Sequence, residues 1–307
     1  MRMGLMIGAT EGPAGTIDGL VATAKRYEAG GFPCLWMANI FGLDAINALG
    51  LVGRETSRIE LGTAVVPTYP RHPFAIAQQA LTTQAASRGR FALGIGLSHK
   101  IVIENMLGFS YDKPARHMRE YLSVLAPLLR GEAVQFRGEQ YRVAGALQVP
   151  GATRVPLLVA ALGPIMLRIT GELADGTITW MTGPKTLAAH ILPGLREAAK
   201  AAGRPEPRVV AGFPIVVTNQ PAEAREKIAK ALSIYGQLPS YRAMLDREGL
   251  AGPADIALAG DEATLRRELA RLRELGVSDF SAAISAVEPG AEERTIAFLA
   301  SELGGAR

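Results

Sequence analysis

The chain has 307 residues, 48% of them hydrophobic and 20% charged, enough apolar material for one large core of the size at which α/β barrels form single domains. Lys and Arg outnumber Asp and Glu by only 33 to 29, and aromatics are 6%; with no run of five basic residues, a basic tail or base-stacking surface for nucleic acid is excluded. The one cysteine, Cys34, excludes an intramolecular disulfide framework and fits a reducing compartment.

No apolar run reaches a membrane span, and the N-terminus lacks the pattern of a signal peptide. A cytoplasmic protein without membrane or nucleic-acid partners is expected.

In chain order, residues 3–9 read as a buried strand and Thr16–Ala29 as a helix, with Thr16 as N-cap and Gly30-Gly31 at its end. A strand over 34–38 ends at Asn39, and Asp44 opens a helix to Ser57. A third strand spans 59–66, closed by Pro67; a helix follows over Phe74–Ala86. The fourth strand, 90–96, ends in Gly94-Ile95-Gly96 before Leu97, Ser98 and His99. With no Cβ on Gly94 and Gly96, a flat ring or a phosphate has room to approach that backbone.

Residues 99–154 interrupt the rhythm with a helix around His117–Leu129 and a hairpin-like pair, 133–136 and 140–143. They read as an insertion that covers the mouth of a barrel and sets specificity. The alternation resumes with strands over 155–161, 177–181, 209–218 and 278–285. Helices are expected over Ile165–Leu173, Leu187–Ala201, 222–248 (interrupted near Pro239), Asp261–Leu275 and Ala291–Leu303. Pro214 within the seventh strand suggests a bulge. Eight strands alternating with helices indicate a (β/α)8 TIM barrel as one domain over 1–307.

Active sites of such barrels lie at the C-terminal strand ends. Those ends carry Asn39, Ala64, Val65, Leu97, Ser98, His99, Ala161, Leu162, Gly163, Pro164, Gly183 and Lys185. They hold no carboxylate pair, no metal-ligand spacing and no nucleophile elbow. A site so poor in acid–base groups suits chemistry carried by an organic cofactor.

Residues 61–84 (LGTAVVPTYPRHPFAIAQQALTTQ), 89–99 (GRFALGIGLSH) and 155–187 (VPLLVAALGPIMLRITGELADGTITWMTGPKTL) resemble the luciferase-like group of flavin and deazaflavin oxidoreductases, and within it the branch that uses coenzyme F420. The resemblance implies a cis peptide at Ala64–Val65, forming a bulge behind the central ring of the deazaflavin. Asn39 falls where relatives place a polar residue near the pyrimidine edge; capping of the following loop is the alternative. The helix after Gly163-Pro164 offers free amides to the phosphate of F420 or FMN, with Gly183 and Lys185 beside it. Leu97, Ser98, Ala161 and Leu162 complete the implied cofactor contacts.

His99 stands where a sugar-phosphate-oxidising relative has a catalytic carboxylate, which makes it the candidate for proton transfer. His72 reads as a loop anchor, and His117 and His190 as surface residues. Trp36 and Trp180 either wall the pocket or pack the barrel. F420-dependent glucose-6-phosphate dehydrogenases carry a His where this chain has Ile40, so reduction of an activated double bond or imine is expected over alcohol oxidation. The alternatives are an FMN-dependent monooxygenase and a non-catalytic F420-binding protein. The resemblance also implies a homodimer acting on a small molecule.

Overall fold

A computed structural model describes residues 1–8 and 13–305. In chain order the strands are β1 (Arg2–Ile7), β2 (Cys34–Met37), β3 (Glu60–Thr63), β4 (Val66–Pro67), β5 (Phe91–Gly96) and β6 (Val134–Arg137). They continue with β7 (Arg142–Gly145), β8 (Leu157–Val159), β9 (Gly176–Trp180), β10 (Arg208–Val217), β11 (Leu258–Gly260) and β12 (Asp279–Ile284). Parallel pairing runs from β1 through β2, β3, β5, β8, β9, β10 and β12, which returns to β1. The result is a closed (β/α)8 barrel with all eight strands where the apolar runs place them; the expected end of the first strand at Ala9 lies outside the described residues.

The helices are α1 (Ile17–Ala29), α2 (Ala45–Glu55), α3 (Pro73–Ala86), α4 (Pro114–Leu129), α5 (Pro164–Leu173) and α6 (Pro184–Thr186). After them come α7 (Leu192–Ala201), α8 (Pro221–Ala231), α9 (Pro239–Glu248), α10 (Glu262–Glu274) and α11 (Ala291–Ser301). Local chemistry starts them as expected: Thr16 accepts from the Gly19 amide and Asp44 from the Asn47 amide. A π turn, Leu187–Ile191, joins α6 to α7, since Pro193 cannot donate to the carbonyl one turn back.

Two expectations need correction. Pro214 makes no bulge, because β10 keeps step with β12 from Val210 to Ile215. Even-numbered residues of β10 bond the other way, where β9 pairing ends at Gly212 and β11 pairing starts at Ile215. Pro214 falls in that gap, so its missing N–H costs no ladder bond. Residues 99–154 are also not simply added to the barrel. Helix α4 packs between α3 and α5 as the fourth barrel helix, leaving the 98–112 loop and the β6–β7 hairpin as the additions.

Outward strand faces meet the helices in one large apolar core that includes Leu5, Leu35, Leu61, Phe213 and Phe280. Inside the barrel, Cys34, Trp36, Ala92, Leu158, Ile178 and Val210 form a separate cluster. Trp36 fits because Gly62 faces it; a Cβ there would stand 2.2 Å from the indole. At the N-terminal end Arg208 bonds Asp279 at 2.9 and 2.6 Å and Glu60 at 2.6 Å, and its guanidinium lies 5.1 Å from the Trp36 ring centre. Burial pulls the Arg208 pKa down, but the two carboxylates outweigh it and raise it. Indole and ion cluster together plug the bottom of the barrel.

Candidate active site

The C-terminal end is open. A cavity of about 1570 Å³ lies there, lined among others by Met6, Asn39, Ala64, Val65, Ser98 and His99. Its most irregular wall is the break between β3 and β4. Gly62 pairs with Ala92 and Val66 with Ile95: four steps on one strand match three on its neighbour, so one residue is extruded as a bulge. The peptide Ala64–Val65 within it is cis.

Thr63 repairs the broken ladder, its hydroxyl accepting from the Gly94 amide and donating to the Gly94 carbonyl, both at 2.8 Å. The two glycines of β5 serve this bulge. A Cβ on Gly94 would stand 2.0 Å from the Thr63 carbonyl oxygen, and one on Gly96 2.7 Å from Val65 Cγ2. The space expected for a ring or phosphate against their backbone is thus filled by the neighbouring strand.

Of the candidate residues, Asn39, Ala64, Val65, Ser98, His99 and Leu162 share the cavity wall. Leu97 and Ala161 do not, since strand alternation turns both outward into the helix-facing core while Ser98 and Leu162 face in. Gly163 is not on the wall, and Pro164 borders a separate outer hollow of about 440 Å³. The first turn of α5 carries no side-chain cap, so its amides stay available at the cavity's edge, next to Leu162. Gly183 and Lys185 are turned away: buried Glu248 accepts from the Lys185 amide (3.0 Å), the Thr186 amide (2.8 Å) and the Thr186 hydroxyl (2.8 Å). A carboxylate of the protein already holds that helix start, which removes it as a phosphate seat.

Asn39 caps as well as lines, its Oδ1 accepting from the Ala45 amide at 3.0 Å. Ser98 has φ +60°, and its carbonyl accepts from the Tyr111 hydroxyl at 3.2 Å. Burial lowers the His99 pKa, so its imidazole is neutral at neutral pH. His72 anchors its loop by accepting from the Phe74 amide.

His117 and His190 depart from the surface expectation. His117 is 3% exposed, 2.9 Å from Thr68 Oγ1 and 3.2 Å from Gln140 Oε1, and stacked on Tyr69. The β6–β7 hairpin closes over it, because Glu120 on α4 accepts the Glu139, Gln140 and Tyr141 amides. His190 Nε2 is 2.7 Å from the Leu162 carbonyl and supports the cavity edge from behind.

The hairpin does not cover the mouth; of the 99–154 stretch, His99, Ile101, Val102 and Leu107 reach the wall. The cover comes from the connection after α8. Tyr235, Leu238 and Tyr241 line the cavity, three residues apart, as one face of a 3₁₀ turn running into α9 requires. Tyr235 meets Trp180 of β9 edge-on at 6.3 Å, Tyr241 meets Tyr235 at 5.2 Å, and Tyr241 comes within 5.7 Å of His99. Trp36 lies deeper, in the plug, so only Trp180 of the two indoles walls the site. The spacing of Tyr235, Leu238 and Tyr241 was the available signal for this roof.

Among the described residues no group of three or more His, Cys, Asp or Glu is placed to hold a metal ion, and no helix is long and apolar enough to cross a membrane. The luciferase-like monooxygenase family matches residues 1–295. The chain belongs to that family. Membership in that family makes it an oxidoreductase. A curated relative, 5,10-methylenetetrahydromethanopterin reductase of Archaeoglobus fulgidus, is 28% identical over 234 residues, 75% of this chain and 69% of the relative. Among solved structures, the coenzyme F420-dependent tetrahydromethanopterin reductase of Methanopyrus kandleri aligns with a TM-score of 0.80 at 24% identity, covering 98% of both chains. The monooxygenase RslO1 of Streptomyces bottropensis aligns with a TM-score of 0.77 at 20% identity, over 99% of this luciferase-like chain and 98% of RslO1.

Proposed function

We propose that this luciferase-like protein is an F420-dependent oxidoreductase, acting as a reductase of an activated double bond or imine in a small organic molecule. The observation that carries the reading is the bulge between β3 and β4, which pushes one residue into the cavity wall where the strand register is broken. It gives a planar ring system a fixed surface to lie on. The cavity of about 1570 Å³ exceeds the several hundred Å³ of an ordinary single-ligand pocket, leaving room for cofactor and acceptor together. The reductases of A. fulgidus and M. kandleri support the direction, and the F420 dependence of the latter supports the choice of cofactor.

In this reading Ala64 and Val65 back the ring, Ser98 and Leu162 flank it, Asn39 lies near its polar edge, and the uncapped amides of Ile165 and Met166, which follow Gly163-Pro164 at the start of α5, receive the phosphate. When bound, F420 supplies a hydride donor or acceptor at C5. The chain contributes orientation and exclusion of water. His99, neutral because burial lowers its pKa, serves as a hydrogen-bond donor to the acceptor, and the anion left by hydride transfer takes its proton from bulk water as the product leaves.

The structural likeness to the monooxygenase RslO1 and to an FMN-bound Baeyer-Villiger monooxygenase of Pseudomonas putida supports a second reading, an FMN-dependent monooxygenase. Parallel equilibrium titrations of the purified protein with F420 and FMN, followed by fluorescence, separate the two. Micromolar or tighter F420 binding with FMN much weaker is the expected result. The reverse preference moves the chain to the flavin monooxygenases, and binding of neither overturns both readings.

A further inference from the structure

The cavity wall divides into two chemically different parts. On the β2–β3 side it carries the polar and bulged positions Asn39, Ala64, Val65 and Arg71. Opposite, from the end of β5 to the end of β9, run the rings of His99, Tyr241, Tyr235 and Trp180 in successive contact. The two tyrosines come from a single segment that starts after α8 and reaches over the β9 and β8 ends to His99. Burial raises the pKa of both tyrosines, so they remain uncharged. The Trp180 indole N–H is buried without a partner among the described residues, and the indole meets Tyr235 edge-on.

Charge on the lining is already spoken for. Arg71 holds Asp44 at 2.8 Å, Arg26 holds Glu292 at 3.0 Å, and Lys227 holds Glu223 at 2.8 Å. His99 is neutral for the reason given. Among the described residues, then, no lining cation faces the aromatic row without a carboxylate of its own. A carboxylate or phosphate on a molecule held there would lose its water and gain no counter-ion, which is costly. A planar uncharged molecule would instead gain ring contacts of the kind that add to simple burial.

We infer that the row His99–Tyr241–Tyr235–Trp180 is the acceptor-binding wall, and that the acceptor class is uncharged, planar and conjugated: a quinone-like ring, a conjugated imine or an α,β-unsaturated carbonyl compound. As an assignment of the acceptor, this rests on the hydride-transfer reading of the cavity.

The test is calorimetric titration at neutral pH with two probes of equal size, 2-naphthol and 2-naphthoate, beside a separate F420 titration. The wild type is expected to bind 2-naphthol at least about tenfold more tightly than 2-naphthoate, a difference of about 1.4 kcal/mol. In the Y235A/Y241A double variant 2-naphthol binding weakens by about tenfold, while F420 affinity is retained. Tyr241→Leu, which keeps the volume apolar, loses part of the binding and serves if the double variant does not fold.

No binding of 2-naphthol by the wild type, equal or tighter binding of 2-naphthoate, or folded variants that bind 2-naphthol unchanged would overturn the inference. Charge discrimination without F420 binding would sink the cofactor reading and leave the aromatic wall standing. F420 binding without discrimination would do the opposite.

Discussion

The environment of His117 strongly alters its chemistry. It sits beneath the hairpin with rings of Tyr69, Tyr121 and Tyr141 around it, and burial pushes its pKa down to about 4, against weaker upward pulls from Gln140 and Glu120. Between pH 6.5 and 4 the unfolded chain takes up a proton that the native protein refuses. Stability therefore falls as pH drops through that window, by on the order of 3 kcal/mol at its acid end. Urea unfolding at pH 7, 5.5 and 4 on wild type and His117→Gln checks this. The variant should be weaker at pH 7 by about 1–3 kcal/mol and lose less on acidification; parallel pH profiles would contradict the assignment. Nothing in the sequence near His117 announces its burial, because the cover is a hairpin some twenty residues on, held by Glu120.

At the scale of elements, the β3–β4 bulge depends on Thr63. Its hydroxyl satisfies both backbone groups of Gly94 inside a buried strand. Thr63→Val keeps the shape and removes both bonds, leaving two buried polar groups unpaired at a cost of about 2–4 kcal/mol. Thr63→Ser should restore most of that. Thermal melts read the stability, and F420 titration reads the site: the valine variant is expected to lose cofactor affinity, with serine recovering it. Full affinity in a folded Thr63→Val protein would show that the bulge does not position the ring.

The bulge was legible in the chain because Gly-Thr-Ala-Val is a motif of recognisable relatives. The purpose of Gly94 and Gly96 was not, since only the register shows that they make way for Thr63 and Val65. The roof of Tyr235, Leu238 and Tyr241 was hidden for a related reason: a three-residue period across Pro239 resembles neither of the strong helix and strand patterns. Leu97 and Ala161 were chosen from the right strand ends but on the wrong face, a distinction that depends on where alternation starts.

For the whole molecule, near-continuous apolar runs made all eight barrel strands readable, while β11, three residues long, gave too little pattern to find. Closure at the bottom rests on charges brought from four distant places, Arg2, Glu60, Arg208 and Asp279. Asp279 is 1% exposed, and Asp279→Ala leaves Arg208 with half of its compensation. A loss of about 3–5 kcal/mol is expected from breaking such a buried pair, measurable by urea unfolding at neutral pH; a loss below about 1 kcal/mol would mean that Glu60 alone suffices.

The plug of Trp36 and Arg208 also governs traffic. A barrel stopped at one end is a cul-de-sac, so every reactant and product shares a single doorway. Whatever rests against Ala64 and Val65 and whatever settles beneath Tyr235 and Tyr241 enter and leave by that same mouth, so each narrows the path of the other.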